Sequence, residues 1–271
     1  LWVNRERIAA GEPVHGLRRV YIATQQEKDD RQITSLRQNL GSRRTKVLNK
    51  IQRILHRHNL MWKYPTKSFQ TQTGIRWLED LKLPEMDRFE MDLLLQEWKS
   101  LNEQMTKVNE KIRERASRTT PESPLNAAQI LMTAPGVSHY SALGIASRIG
   151  PIERFPRPRS LANYFGLTPG CRNSGESKNR PGAITKEGSR FVRFLLGQLV
   201  IHFLKSDPKL RDWYRRIKLR RGAKIARVAV MRRLTTIFWH MLTYREPYSI
   251  GAPPPRLRDK QAQDKEQQDA A

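Results

Sequence analysis

The residue types best suited to phosphate chemistry lie in one irregular stretch, residues 166–188, which we call the serine loop. At its centre Ser174 precedes Gly175, so that its hydroxyl is sterically open. Clustered cations around such a hydroxyl can bind a phosphate and stabilise negative charge on its oxygens. The predicted phosphate-binding cations are Arg172, Lys178, Arg180 and Lys186 in the loop, and Arg190 and Arg193 just after it. From the residues alone, a serine in a basic loop is more often a phosphate contact or a solvated side chain than a nucleophile.

A second candidate is the turn Pro135-Gly136-Val137 between two predicted helices. This pattern is typical of a helix-hairpin-helix element, in which the glycine lets the backbone approach a phosphate and the next helix points amide groups at it. Gly136 is therefore a predicted DNA-backbone contact. Such an element holds DNA without reading its bases. The alternative is an ordinary corner between two helices.

The third basic element is a pair of C-terminal helices. The first is predicted to begin at Asp207-Pro208 and to end at Gly222, and the second to run from about Lys224 to Tyr244. Their cations predict a face for phosphate backbone, and their apolar residues are expected to pack. The cations are Arg211, Arg215, Arg216, Lys218, Arg220, Arg221, Lys224, Arg227, Arg232 and Arg233, and the apolar residues are Trp213, Leu219, Ile225, Val228, Leu234 and Phe238.

The composition supports a polyanionic partner. The 271 residues include 51 lysines and arginines against 26 aspartates and glutamates, so the formal net charge is +25. Nucleic acid is the expected partner, although charge alone does not separate DNA from RNA or anionic lipid. Cys171 is the only cysteine, which excludes a disulfide scaffold and fits a reducing, cytoplasmic compartment. We expect no membrane span, because the most apolar run, residues 191–204, is too short and contains Arg193 and His202.

Other kinds of site find no support. His56 and His58 face different sides of a helix and have no partners at metal-ligand spacing, so no metal site is predicted within the chain. No phosphate-binding P-loop or dinucleotide fingerprint is present. The acidic residues between Glu79 and Glu114 are interpreted as solvated faces of helices.

Four segments are predicted to position these residues. Residues 1–25 contain one strand-like run, Arg19 to Ala23, and resemble the end of a domain. Residues 26–118 form coiled-coil helices, residues 124–248 form a compact helical domain, and residues 249–271 form a disordered tail. In the compact domain Asn126, Ser138 and Ser160 are predicted helix caps, and the helix after Ser160 is expected to end at Gly166.

Two apolar series define the coiled coil. The first series has a polar residue, Arg44, at one apolar position, and the second series has none. A connecting segment that contains Pro65, Gly74 and Pro84 separates the two series. The series are Ile33, Leu36, Leu40, Val47, Ile51 and Ile54, then Leu94, Trp98, Leu101, Met105, Val108 and Ile112. We predict an antiparallel hairpin; the alternative is two helices packed on a globular core. The pattern does not distinguish pairing within one chain from pairing across a dimer.

Several motifs, in this order and spacing, resemble the C-terminal domain of the insertion-sequence 110/116/902 group of transposases, which includes the pilin-gene invertases. They are Ala134-Pro-Gly-Val137, Ile149-Gly-Pro-Ile-Glu-Arg-Phe155, Leu161-Ala-Asn-Tyr-Phe-Gly-Leu-Thr-Pro169, Ser174-Gly175 and Ile184-Thr-Lys-Glu-Gly-Ser-Arg190. Upstream, Arg19-Val-Tyr-Ile22 and the first coiled-coil helix resemble the end of that group's RuvC-like domain and its coiled coil. The resemblance covers the chain to about Tyr248.

The resemblance implies a mainly α protein: a remnant of an RNase H/RuvC-like domain, a long antiparallel coiled-coil hairpin, and a helical C-terminal domain with a helix-hairpin-helix-like element and a basic loop or small hairpin. It also implies that Ser174 is a nucleophile that links covalently to DNA, and that three Asp and one Glu bind Mg²⁺ in an RNase H-like site. A structured guide RNA and a homo-oligomer are further expected partners.

The acidic site would lie upstream of Arg19, so we expect the chain, which begins at Leu1, to be N-terminally truncated. The alternative function is a truncated, non-catalytic nucleic-acid-binding protein.

Overall fold

The computed structural model describes residues 6, 9, 10, 20–67, 69, 71–118, 126–171 and 181–249. This part of the chain is mainly helical, which confirms the predicted fold class at that level. The α-helices, in chain order, are α1 Gln25–Arg57, α2 Gln72–Asp80, α3 Glu85–Ala116, α4 Ala127–Met132, α5 His139–Ile149, α6 Pro158–Tyr164, α7 Arg190–Ser206, α8 Pro208–Arg221 and α9 Ala223–Tyr244. Short 3₁₀ turns form at Met61–Lys63 and Ile152–Arg154. The segment 249–271, predicted to be a disordered tail, lies outside the described residues except for Ser249.

Helices α1 and α3 run antiparallel and pair within the chain. Arg57 pairs with Asp87 at one end, and Arg115 pairs with Asp30 at the other. Their apolar residues form one hydrophobic cluster with Leu78 of α2. This cluster comprises Leu40, Val47, Ile51, Ile54, Leu55, Leu78, Met91, Leu94, Leu95, Trp98, Leu101 and Met105.

Leu36 is the exception in the predicted seam, because its side chain is 46% exposed, whereas Leu40 is 5% exposed. The prediction for Leu36 was wrong. The neighbouring Arg37 takes the position toward α3 and α5: its Nε donates to Asn109 Oδ1 at 2.9 Å, and its guanidinium lies 3.9 Å from the Tyr140 ring centroid. The break at Arg44 is also explained, since its guanidinium lies 5.5 Å from the Trp98 ring centroid.

The strand-like run at Arg19 to Ala23 does not form a strand in the part that is described. Residues 20–24 are unpaired by any strand of the described chain, and Val20 and Ile22 are exposed. Tyr21 is anchored, because its hydroxyl donates to Glu27 Oε2 at 2.7 Å. Thr24 then begins α1 with a capping box that is closed by Glu27.

Helices α4 to α9, with the last turn of α3, surround a second hydrophobic cluster. The predicted caps Asn126 and Ser138 are confirmed, because each side chain accepts a hydrogen bond from an amide in the first turn of its helix. The helix predicted to begin at Asp207-Pro208 is also confirmed, and Asp207 caps it by accepting from the Leu210 amide at 3.0 Å. The predicted cap at Ser160 was wrong. Helix α6 begins two residues earlier, at Pro158, whose fixed φ suits a first helical turn, and it ends at Tyr164 rather than at Gly166.

A small antiparallel pair of strands connects α6 to α7. Strand β1, Pro169–Cys171, pairs with β2, Pro181–Ile184, and Pro169 lies opposite Ile184. Residues 172–180 between them lie outside the described part of the chain.

Candidate functional site

The structure describes the base of the serine loop, where residues 164–168 lie against residues 185–188. We call this region the loop base. The predicted nucleophile Ser174 and the cations Arg172, Lys178 and Arg180 lie outside the described residues, so their roles stay predictions.

Two glycines allow the loop base to close. Gly166 and Gly188 have positive φ angles of 65° and 71°. A Cβ on Gly188 would overlap the carbonyl oxygen of Tyr164, and a Cβ on Gly166 would overlap the backbone of Glu187. Both positions therefore require glycine for conformation and for space.

Backbone hydrogen bonds join the two sides of the loop base. The Lys186 amide donates to the Gly166 carbonyl at 3.1 Å, and the Thr185 amide donates to the Thr168 carbonyl at 3.0 Å. The Thr168 hydroxyl donates to Asn163 Oδ1 at 2.7 Å. The chain therefore enters and leaves the serine loop at nearly the same place.

Arg193 fixes the loop base from helix α7. Its Nη1 donates to the carbonyls of Phe165 at 3.1 Å, Glu187 at 2.8 Å and Gly188 at 3.3 Å. We predicted Arg193 as a DNA contact, and the structure shows that one guanidinium nitrogen is engaged with the protein. Sequence reasoning missed this positioning role, because no local pattern shows which carbonyls a helical arginine will meet.

Two other predicted contacts, Lys186 and Arg190, are exposed at the loop base. Lys186 has a φ of 58°, an uncommon conformation for a residue with a side chain. Arg190 is the first residue of α7, and the preceding Ser189 caps that helix by accepting from the Val192 amide at 3.3 Å. Both cations are therefore accessible to an anionic ligand beside the loop.

Arg154 is a further cation near the loop base that sequence reasoning did not single out. Its guanidinium carbon lies 4.9, 4.6 and 4.6 Å from the ring centroids of Tyr21, Phe155 and Tyr164. Within the described part of the chain, Arg154 forms no ion pair or hydrogen bond. Aromatic faces orient a guanidinium without neutralising it, so Arg154 retains its charge for an anion. No spacing in the sequence would reveal this arrangement, because Tyr21 comes from the other end of the chain.

The Pro135-Gly136-Val137 turn joins α4 to α5, as predicted. Gly136 has a φ of 73°, and a Cβ there would overlap the side chain of His202 on α7. Contact with His202 is thus sufficient to explain why this position is glycine. The DNA contact predicted at Gly136 remains a prediction.

The turn and the loop base do not form one compact cluster. Tyr140 near the start of α5 contacts Phe191 with ring centroids 5.8 Å apart, whereas Gly136 lies beside His202. Phe191 and His202 are eleven positions apart on α7, which corresponds to about 16 Å along the helix axis. A ligand that touches both sites must extend along that helix.

Arg148 of α5 connects two parts of the fold: the body, formed by α4 to α9, and the hairpin, formed by α1 and α3. It is largely buried and donates to the Thr34 and Ser35 hydroxyls and to the Gly144 and Arg31 carbonyls, at 2.9 to 3.4 Å. Burial and, secondarily, the positive charge of Arg31 lower the pKa of Arg148 to about 10. The guanidinium remains charged at neutral pH and also lies 3.8 Å from the Phe191 ring centroid. Arg148 therefore links α7, which begins beside the loop base, to α1.

The C-terminal helices α8 and α9 expose most of their predicted cations. Arg227 and Arg233 also contact the protein: Arg227 Nη2 donates to the Gly197 carbonyl at 2.7 Å, and the Arg233 guanidinium lies 5.3 Å from the Trp213 ring centroid. The predicted packing of Leu234 and Phe238 is confirmed. For Leu219 and Ile225 that prediction was wrong, because they flank the turn between the helices, where they are 87% and 55% exposed and no other element that the structure describes covers them.

Neither a metal cluster nor a membrane span is found among the described residues. They contain no group of three or more histidine, cysteine, aspartate or glutamate side chains that could hold a metal ion. None of their helices is both long enough and apolar enough to cross a membrane.

Comparison with known proteins gives a match to one family. Residues 128–215 match the family described as "Transposase IS116/IS110/IS902 family". The matched segment begins in α4, includes the whole serine loop and ends in α8.

Individual relatives agree with this match. The chain is 26% identical to the transposase for insertion sequence element IS1111A of Coxiella burnetii over 255 residues, which is 92% of this chain and 68% of that protein. It is 29% identical to a probable family 20 transposase of Pseudomonas aeruginosa, over 45% of this chain and 37% of that protein. It is also 29% identical to a pilin gene-inverting protein of Moraxella bovis, over 48% of this chain and 40% of that protein.

Proposed function

We propose that this chain, which matches the IS116/IS110/IS902 family of transposases over residues 128–215 and is similar to one transposase over 92% of its length, is the serine-bearing part of an enzyme that cuts and joins DNA. The observation that carries the proposal is the family match over residues 128–215, because that segment contains Ser174 and the complete loop base. The pilin gene-inverting relative supports recombination more generally as the reaction class.

The described surroundings of the loop suit a phosphate substrate. Lys186 and Arg190 are exposed beside the loop base, and Arg154 is held by aromatic rings nearby. In this proposal they bind the phosphates that flank the bond to be cut. Arg193 acts as a positioning residue, since it holds the ends of the loop through three carbonyls.

The proposed chemical step is a phosphoryl transfer to Ser174. Its Oγ attacks a phosphorus atom of DNA in line, an Oγ–P bond forms, and one P–O bond to deoxyribose breaks. The serine proton leaves to solvent, and the departing deoxyribose oxygen is protonated. Attack by a second deoxyribose hydroxyl on the serine phosphodiester reverses these bond changes and rejoins DNA. Cations beside the phosphate stabilise the charge that develops on its oxygens.

Magnesium belongs to the proposed complete enzyme. The described residues offer no ligand set for it, so we assign no step of this chain to the metal. When bound to the acidic site expected upstream of Arg19, Mg²⁺ would polarise the reacting phosphate.

The first prediction tests the nucleophile. In a polypeptide that also carries the acidic domain expected upstream, Ser174→Ala should abolish covalent attachment to labelled DNA and strand joining. DNA affinity should stay within about threefold, because removing one neutral hydroxyl leaves the phosphate-binding cations intact. Denaturing gels measure the adduct, and fluorescence anisotropy measures affinity.

The matched control is Ser177→Ala, which removes a second hydroxyl from the same loop and should leave the adduct unchanged. An adduct that survives Ser174→Ala contradicts the assignment, and loss of the adduct in Ser177→Ala instead moves the nucleophile to that residue. If neither serine forms an adduct while DNA binding persists, the chain is a non-catalytic binding protein. Stronger binding of structured RNA than of duplex DNA at matched salt would instead make RNA the main partner.

A further inference from the structure

The turn between α8 and α9 presents two apolar side chains to solvent. All residues from Lys218 to Ile225, which we call the hairpin tip, are exposed. Leu219 is 87% exposed and Ile225 is 55% exposed. Gly222 turns the chain with a φ of 84°, and apart from its two chain neighbours nothing in the described part of the chain lies within 4 Å of the position a Cβ would take. The hairpin tip is therefore open to a ligand from outside the described chain.

The hairpin tip is strongly basic. No aspartate or glutamate occurs from Trp213 to Arg245, although ten lysines and arginines do. Four of these cations are in the hairpin tip itself: Lys218, Arg220, Arg221 and Lys224. A surface of this charge favours a polyanion and disfavours an apolar patch on a neutral protein.

The helices behind the hairpin tip are held firmly in the body. Leu210 near the start of α8 is buried, and Ala226 and Val230 of α9 are buried immediately behind the turn. Arg227 of α9 donates to the Gly197 carbonyl of α7 at 2.7 Å. Leu219 is therefore presented by an ordered support and need not be ordered upon binding.

An exposed leucine between cations has a recognised use in DNA-distorting proteins. Such proteins insert an apolar side chain between base steps, and their cations bind the phosphates on either side. Unstacking a step costs a few kcal/mol, which the additional contacts to bent DNA offset. Leu219, with Lys218 on one side and Arg220 on the other, has this composition.

We propose that the hairpin tip bends duplex DNA by inserting Leu219 at the minor groove between two base pairs. Lys218, Arg220, Arg221 and Lys224 neutralise phosphates beside that step. This proposal rests on the proposed function, since it requires DNA as the substrate, but it does not require Ser174 to react.

The test is ligase-mediated circularisation of a DNA fragment of about 100 base pairs, which is shorter than the persistence length and closes poorly unless it is bent. The full chain should raise the yield of circles. Leu219→Ala should reduce that gain by roughly tenfold, with DNA affinity changed by less than about threefold. Leu219→Phe should retain the gain, because phenylalanine can also act as a wedge.

Leu93→Ala is the matched control, since Leu93 is also an exposed leucine, on α3, among acidic residues. It should circularise DNA as the unaltered chain does. Arg220→Ala combined with Arg221→Ala should weaken DNA binding and lower the salt slope by about two. Thermal unfolding should be unchanged in every variant, because each replaced side chain is exposed.

Full circularisation by Leu219→Ala overturns the proposal, as does an equal loss in Leu93→Ala. A Leu219-dependent preference for structured RNA over duplex DNA also overturns it. Ser174→Ala separates this proposal from the previous one: it should bend DNA normally even though it forms no adduct. Bending without any adduct would therefore contradict only the proposed nucleophile.

Discussion

Arg190 and Arg193 lie three positions apart, about one turn, on the same helix α7, yet their surroundings differ. Arg193 reaches back to three carbonyls at the loop base, whereas Arg190 is exposed at the first position of α7. A hydrogen bond from a charged group is among the stronger ones in a folded protein, and removing it leaves carbonyls without a partner. The two residues should therefore differ in their effect on stability.

We predict that Arg193→Ala lowers the free energy of unfolding by about 1–3 kcal/mol, because three carbonyls at the loop base lose their donor. Arg190→Ala should change it by less than about 0.5 kcal/mol, as exposed substitutions usually do. Urea unfolding followed by circular dichroism provides the measurement.

The DNA affinity of Arg190→Ala is the second measurement that distinguishes the two arginines. Arg190→Ala should weaken binding at unchanged stability if Arg190 contacts phosphate. Equal losses of stability in the two variants would contradict the positioning role of Arg193.

At this scale, sequence reasoning succeeded where the partner is local. Asn126 and Ser138 were predicted as caps because such side chains bond to an amide three residues ahead. It did not identify Arg154, whose aromatic neighbours include Tyr21, 133 residues earlier in the chain. The predicted roles of Ser174 and its neighbouring cations remain predictions.

At the scale of elements, the heptad pattern predicted where α1 and α3 run and most of the residues between them. It failed at Leu36, where α1 contacts α5 as well as α3. Arg37 and Tyr140 make the contact there, and a pattern of apolar spacing cannot represent an arginine stacked on a tyrosine. The contacts between the hairpin and the body are therefore the part of the fold that the spacing of apolar residues did not predict.

The different exposure of Leu36 and Leu40, which lie about one helical turn apart, predicts that their substitutions affect stability unequally. Leu40→Ala should lower the free energy of unfolding by about 2–5 kcal/mol, because it leaves a cavity in the hairpin core. Leu36→Ala should cost less than about 1 kcal/mol, since its side chain is 46% exposed. Denaturant titrations of both variants measure the free energy of unfolding. An equal loss in the two variants would show that Leu36 packs between α1 and α3 as Leu40 does.

At the scale of the whole molecule, charge is unevenly distributed. The net charge is +25, yet ten of the 26 acidic residues lie between Glu79 and Glu114, mostly on α3. Residues 166–244, from the serine loop to the end of α9, contain 18 lysines and arginines against four aspartates and glutamates. We therefore expect nucleic acid to contact the body, while the acidic helix of the hairpin faces away from it.

DNA binding by the chain should consequently depend steeply on salt. If six to ten phosphates are neutralised, affinity should fall by about 10³–10⁵ between 50 and 200 mM salt. Fluorescence anisotropy with a labelled duplex at several salt concentrations gives the slope. A slope that corresponds to fewer than about three phosphates would contradict an extended basic interface.

Helix α3 belongs to both hydrophobic clusters. Its 32 residues extend over about 48 Å; Met91 to Met105 lie in the hairpin core, and Ile112 and Ala116 lie in the body core. Val108 packs against both. Because α3 is continuous between the two clusters, we expect a sideways force at the far end of the hairpin to be transmitted to residues 108–116. The Arg115–Asp30 pair and the packing of Ile112 and Ala116 in the body core resist that force. A second molecule that pulled on the hairpin would thereby act mechanically on the domain that carries Ser174.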